Sequence, residues 1–148
     1  MTAVIQRVKE ARVFIDGDLY SKISKGLLIL LGVCKGDTPE NSKALARKFV
    51  DLRVFSDEND KMNLSVRDIE GEILIISQFT LCSDKGKSGN RPSFINAELP
   101  EKACLLYEDV IDELKSYYAT EKIKTGIFAA AMEVSLINDG PVTILLDK

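Results

Sequence analysis

Histidine is absent from the 148 residues. Its absence excludes a Ser-His-Asp triad, a Cys-His dyad, an HExxH zinc helix and a kinase HRD loop. A hydrolase built on this chain therefore needs another route for its protons. Cysteine is scarce: Cys34, Cys82 and Cys104 lie far apart, form no CxxC pair and have no histidine to complete a zinc site. They are read as reduced core thiols of a cytosolic protein. Long apolar runs are missing too. The longest, Gly26 to Cys34, is too short to span a bilayer, and the N-terminal stretch meets Arg7 before an export signal's apolar region can form. No membrane association is expected. Nor is there an excess of positive charge: 20 Lys and Arg stand against 23 Asp and Glu, a net charge of -3. Broad electrostatic coating of nucleic acid is thereby disfavoured, and any RNA or DNA contact must be local.

What is present describes an ordinary globular chain, with 45% hydrophobic and 29% charged residues. Its length fits one domain over residues 1–148. Ala3–Val8, Ala11–Ile15 and Leu19–Ser24 read as an antiparallel meander turning at Asp16-Gly17-Asp18, and Gly26–Val33 as a central strand buried on both faces. Thr38-Pro39-Glu40 predicts a helix start, with Leu45, Phe49 and Leu52 continuing to about Val54. After a polar loop at 56–63, Glu72–Phe79 reads as a second buried strand, and 82–96, without periodicity, as a long surface loop. A second helix opens at Pro100 with the stripe Ala103, Leu106, Tyr107, Val110, Ile111, Leu114 and Tyr118. Ala131–Ile137 and Val142–Leu146 complete the set as strands flanking Asn138-Asp139-Gly140-Pro141. The sum is a single α/β domain with two main helices and a mixed, largely antiparallel sheet.

Several motifs fail on inspection. Gly86-Lys87-Ser88 ends like a phosphate-binding loop, but Leu81 stands where its first glycine belongs. Asp57-Glu58-Asn59-Asp60 starts like a calcium loop, yet Met62 occupies the glycine position. Two segments survive. In Ser77-Gln78-Phe79-Thr80-Leu81, polar side chains interrupt the end of an apolar strand, where backbone N–H groups run out of ladder partners. They either form an oxyanion hole or merely close the strand. In Asn138-Asp139-Gly140-Pro141-Val142-Thr143, glycine's freedom and proline's missing N–H leave either free carbonyls facing a ligand or a plain hairpin turn.

Together SQFTL at 77–81, NDGPVT at 138–143, QRV at 6–8, RPSF at 91–94 and the GLLILLGV strand closely resemble the D-aminoacyl-tRNA deacylases, across essentially the whole chain and in the same order. Asn90, between Gly89 and Arg91, departs from the pattern and bears only on substrate preference. The resemblance implies a barrel-like core, a cytoplasmic homodimer, and hydrolysis of the ester joining a D-amino acid, or glycine, to the acceptor end of tRNA. It implies that backbone N–H groups near Phe79 and Thr80 hold the carbonyl oxygen while Ser77 and Gln78 shape the site. It further implies a cis Gly140-Pro141 peptide reaching into the partner's site, where its carbonyls exclude L-substrates by position, with Arg7 propping the turn. Phe128 and Met132 either line an adenine pocket or pack the core, and Lys85, Lys87 and Arg91 either guide tRNA or belong to a solvated loop. No cofactor or metal is expected.

An aminoacyl ester is already activated by its ammonium and the neighbouring 2′-hydroxyl, so positioning and oxyanion stabilisation suffice without histidine. Thr80 as nucleophile is the alternative, lacking an activating base adjacent in sequence. Two competing functions are a non-catalytic dimeric nucleic-acid-binding module and a small-ester hydrolase working through Thr80.

Overall fold

The computed structural model describes residues 1–84, 86 and 90–148. Its organising element is β1 (Thr2–Ile15), a strand long enough to serve three partners. Along one edge it pairs antiparallel first with β3 (Gly26–Gly32), through Thr2–Val8, and then with β2 (Asp18–Ile23), through Ala11–Ile15. Along the other edge runs β8 (Glu133–Asp147), also antiparallel. Two strands were expected at each of these places, separated by Lys9-Glu10 and by Asn138–Pro141. Each pair is one strand. Register shifts in the β1–β8 ladder absorb the interruptions without breaking it.

Two parallel strands extend the sheet beyond β3: β6 (Glu72–Ser77) beside it, then β7 (Ile123–Thr125), which the sequence reading had missed. The order is β2-β1-β3-β6-β7, with β8 on β1. Ser21 of β2 donates its hydroxyl to the carbonyl of Thr125 in β7 at 2.9 Å, drawing the two ends into a nearly closed barrel. As the continuous apolar run requires, β3 is central: Leu27, Ile29 and Leu31 face one core and Leu28 the other.

Helix α1 (Pro39–Asp51) and helix α2 (Pro100–Tyr117) pack together over the larger core. The expected stripe of α2 is buried from Ala103 to Leu114, and the hydroxyl of Tyr107 donates to the carbonyl of Ile75 at 2.9 Å. That burial pushes the Tyr107 hydroxyl's pKa well up. Tyr118 falls beyond the helix end, its hydroxyl donating to Gly71 at 2.7 Å. Helix α1 stops short of the expected Val54 because Leu52 turns extended, releasing Val54 and Phe55 toward β4 (Phe55–Ser56), which pairs with β5 (Met62–Leu64). Between those strands Asp57 accepts the N–H groups of Asn59 at 2.8 Å and Lys61 at 3.1 Å, closing the turn that resembled a calcium loop. Among the described residues no helix is long and apolar enough to cross a membrane.

A further expectation is overturned. Cys34 and Cys82 are not reduced thiols but are joined in a disulfide, with their Cα atoms 5.5 Å apart, and only Cys104 is free. A separation of 48 residues hides the contact, which exists because the chain leaving β3 passes the chain leaving β6.

Candidate active site

The ladder between β3 and β6 ends at Leu31 and Ser77. Gln78 still donates its N–H to Leu31 at 2.7 Å, and then the chain tightens into a 3₁₀ turn, Phe79–Cys82, where a continuation of β6 as far as Phe79 had been expected. The N–H of Leu81 closes that turn on the carbonyl of Gln78 at 3.2 Å. As its first two residues, Phe79 and Thr80 have N–H groups that no carbonyl of the turn itself accepts. Gly32 lets the turn lie against β3: a Cβ there would stand 2.9 Å from the Gln78 carbonyl oxygen and 3.0 Å from Leu81.

The turn opens onto a cavity of ≈ 470 Å³ lined by Ser77, Gln78, Phe79, Glu98, Phe128 and Met132, among others. Five of the expected site residues thus meet in one place. Phe79 is 59% exposed and packs edge-on against Phe94, ring centres 5.2 Å apart. Phe128 lines the cavity and also packs against Tyr107, ring centres 5.8 Å apart. Met132 likewise lines the cavity and packs against the smaller core. Thr80 turns its hydroxyl to accept a hydrogen bond from the Gln78 amide at 2.6 Å. Among the described residues no base is hydrogen-bonded to it.

Sequence reading missed Glu98, the one ionisable side chain on the cavity wall among the described residues. Lys102 at 2.8 Å and the N–H of Leu99 at 2.9 Å hold its carboxyl below the ordinary glutamate pKa of 4.5. The spacing of Glu98 and Lys102 was a visible signal for the ion pair, though not for the cavity.

Arg7, Gly140 and Pro141 do not line this cavity. They form a second constellation at the β1–β8 ladder. Between the pairs Val8–Asn138 and Gln6–Thr143, residues Asp139 to Val142 stand opposite Arg7 alone. NDGPVT is therefore a bulge within one strand and not a hairpin turn. The Gly140-Pro141 peptide is cis, and Gly140 has φ +124, open to glycine and strained for other residues. Arg7 holds the bulge from behind. Its Nε donates to the Asp139 carbonyl at 2.9 Å, its Nη1 to the Val54 carbonyl at 2.6 Å, and the Asp139 carboxylate lies 3.5 Å away. Of the expected RNA contacts, Arg91 is exposed, whereas Lys85 and Lys87 lie outside the described residues. Among the described residues no group of three or more Cys, Asp or Glu is arranged to hold a metal ion.

Residues 4–147 match the model of a family described as D-Tyr-tRNA(Tyr) deacylase. A D-aminoacyl-tRNA deacylase of Dictyoglomus turgidum is 55% identical over 147 residues, 99% of this chain and 92% of its own length. Another, from Thermosipho africanus, is 54% identical over 100% of this chain and 97% of its own. Among solved structures, a protein named c-Myc DNA Unwinding Element Binding Protein superposes with TM-score 0.94 at 42% identity, covering 100% of this chain and 99% of that one. A probable eukaryotic D-amino acid tRNA deacylase shares the fold, with TM-score 0.82 at 14% identity over 99% of this chain and 98% of that one.

Proposed function

The chain belongs to the D-Tyr-tRNA(Tyr) deacylase family, and we propose that residues 1–148 form one deacylase domain that clears D-aminoacyl-tRNA, and glycyl-tRNA, in the cytoplasm. The reaction is ester hydrolysis. Water adds to the aminoacyl carbonyl, the bond to the ribose oxygen breaks, and that oxygen takes up the proton water gives. The observation that carries this reading is the junction of two features: backbone donors at Phe79 and Thr80 without partners in their own turn, and a cavity beside them lined with Phe128 and Met132. Such donors stabilise a developing oxyanion without a protein base. The terminal adenosine occupies the apolar wall at Phe128 and Met132, Ser77 and Gln78 orient it, and the substrate's own 2′-hydroxyl assists the water. Lys85, Lys87 and Arg91 steer the acceptor end.

The working unit is a homodimer in which Gly140-Pro141 of one subunit completes the cavity of the other. In support, the bulge stands outside its own chain's cavity, and the outer edge of β8 has no strand partner among the described residues. Selection against L-substrates then follows from backbone carbonyls occupying the space an L side chain needs.

Purified protein should release tyrosine from D-Tyr-tRNA far faster than from L-Tyr-tRNA, and act only weakly on a small D-tyrosine ester. Equal turnover of the small ester would favour the Thr80 hydrolase. One other reading is a nucleic-acid-binding module without catalysis, and the 42%-identical solved structure is named for DNA binding. Tight tRNA or DNA binding with no hydrolysis would establish it.

A further inference from the structure

We propose that the Cys34–Cys82 disulfide is a positioning element for the hydrolysis, and that its reduction to two thiols slows the reaction by releasing the Phe79–Cys82 turn. This rests on the deacylase reading, in which the N–H groups of Phe79 and Thr80 hold the oxyanion.

The turn is held unequally at its two ends. Upstream, Ser77 is in the β3–β6 ladder and Gln78 bonds to Leu31. Downstream, the next backbone bond among the described residues, Asp84 to Ser93 at 2.8 Å, joins two parts of the same excursion between β6 and α2. The disulfide at Cys82, the turn's last residue, is the covalent anchor on that side.

Its other end is well fixed. Cys34 donates its N–H to the Asp37 carboxylate at 2.6 Å and forms a β-bridge with Ala97. On either side of it, Lys35 bonds to Asn96 at 2.8 Å and Glu98 to Val33 at 3.1 Å. Ala97 and Glu98 line the cavity, so one covalent link couples the donor turn to a second part of the cavity wall. Cys82 is buried and Cys34 half-buried, which leaves the bond approachable from the Cys34 side.

A dithiol reductant supplies the two electrons. Its thiolate attacks one sulfur to form a mixed disulfide, its second thiol displaces the protein, and the products are two cysteine thiols and the oxidised reductant. Removing one oxyanion donor outright costs about 10²–10³ in kcat. Loosening the turn that carries the donors should cost less, roughly 5–20-fold in kcat, with KM changed by no more than about twofold, because the adenosine wall at Phe128 and Met132 is untouched.

The test measures kcat and KM for D-Tyr-tRNA on protein isolated without reductant and again after dithiothreitol, with thiols counted by maleimide labelling and mass. Circular dichroism checks that both forms are folded. The fall in kcat should appear on reduction and reverse when the dithiothreitol is removed and oxidised glutathione, taking up the two electrons as two free thiols, restores the bond. Cys104→Ser should respond like the parent, and Cys34→Ala/Cys82→Ala should sit at the reduced rate and ignore dithiothreitol. Equal kcat in the two redox forms overturns the proposal, as does finding both cysteines free in protein isolated without reductant, or a double variant that still responds. An oxidised protein that hydrolyses no D-Tyr-tRNA overturns the deacylase reading along with it, whereas an active enzyme indifferent to its redox state overturns the disulfide's part alone.

Discussion

Thr80 is the alternative candidate for a nucleophile, yet its hydroxyl is turned toward Gln78 and accepts that side chain's amide proton at 2.6 Å. A hydroxyl held in this way, with no base hydrogen-bonded to it among the described residues, lacks the activation a nucleophile needs. Thr80→Ala should therefore lower kcat on D-Tyr-tRNA by less than about 10-fold, and a loss of roughly 10³-fold with the fold intact would make it the nucleophile. The same lack of ionisable machinery fixes the pH dependence. Histidine is absent, and Glu98 is held ionised below its ordinary 4.5 by Lys102 and the N–H of Leu99. Since a depressed pKa leaves the carboxylate charged throughout the range above it, no group on the cavity wall among the described residues gains or loses a proton between roughly pH 5 and 8. The enzyme's kcat on D-Tyr-tRNA should carry no acid-side limb there, once spontaneous ester hydrolysis is subtracted. A bell-shaped profile following an enzyme group would contradict the backbone-donor mechanism.

At the scale of elements, the β1–β8 ladder shows where sequence patterns suffice and where they stop. The apolar run at Gly26–Val33 and the α2 stripe were legible because each follows one period against one core. Lys9-Glu10 and Asn138–Pro141 looked like ends because local signals cannot reveal a partner strand that carries the pairing across an interruption. The disulfide was illegible for the same reason, since both cysteines follow strands whose adjacency is tertiary. In the candidate site, the string SQFTL marked the turn at Phe79–Cys82, while Glu98 gave no sign of lining the cavity beside it. Arg7 joins these levels: one side chain, 11% exposed, binds the bulge of β8 and the stretch leaving α1 together. Arg7→Ala abandons the carbonyls of Asp139 and Val54 and should cost about 2–4 kcal/mol of stability. Because the bulge then loses its backing, the D-to-L preference on Tyr-tRNA should fall several-fold. Arg7→Lys, a point donor without the guanidinium fork, should fall between. A folded Arg7→Ala protein with an unchanged D-to-L ratio would mean that Arg7 supports the fold without shaping the selective bulge.

For the whole molecule the question is whether one chain contains a complete site. The cavity lies at the ends of β3 and β6, and the bulge lies on the strand beyond β1, outside that cavity. Strand β8 also leaves Ile137 at 50% and Leu145 at 56% exposure beside an unpaired edge, a combination that isolated soluble proteins usually avoid. In the proposed homodimer a second copy would cover the apolar positions and bring Gly140-Pro141 to the neighbouring cavity. Ile137 directly precedes the NDGPVT bulge, so a charge there should act on assembly before it acts on the fold. We expect Ile137→Glu to shift the protein toward monomer at micromolar concentration by light scattering, and its activity per chain on D-Tyr-tRNA to fall with the fraction of dimer. Raising the protein concentration should restore both together. If the monomer instead retains full activity and full discrimination against L-Tyr-tRNA, each chain holds its own filter, and selection must come from the Ser77–Thr80 wall that the single chain already possesses.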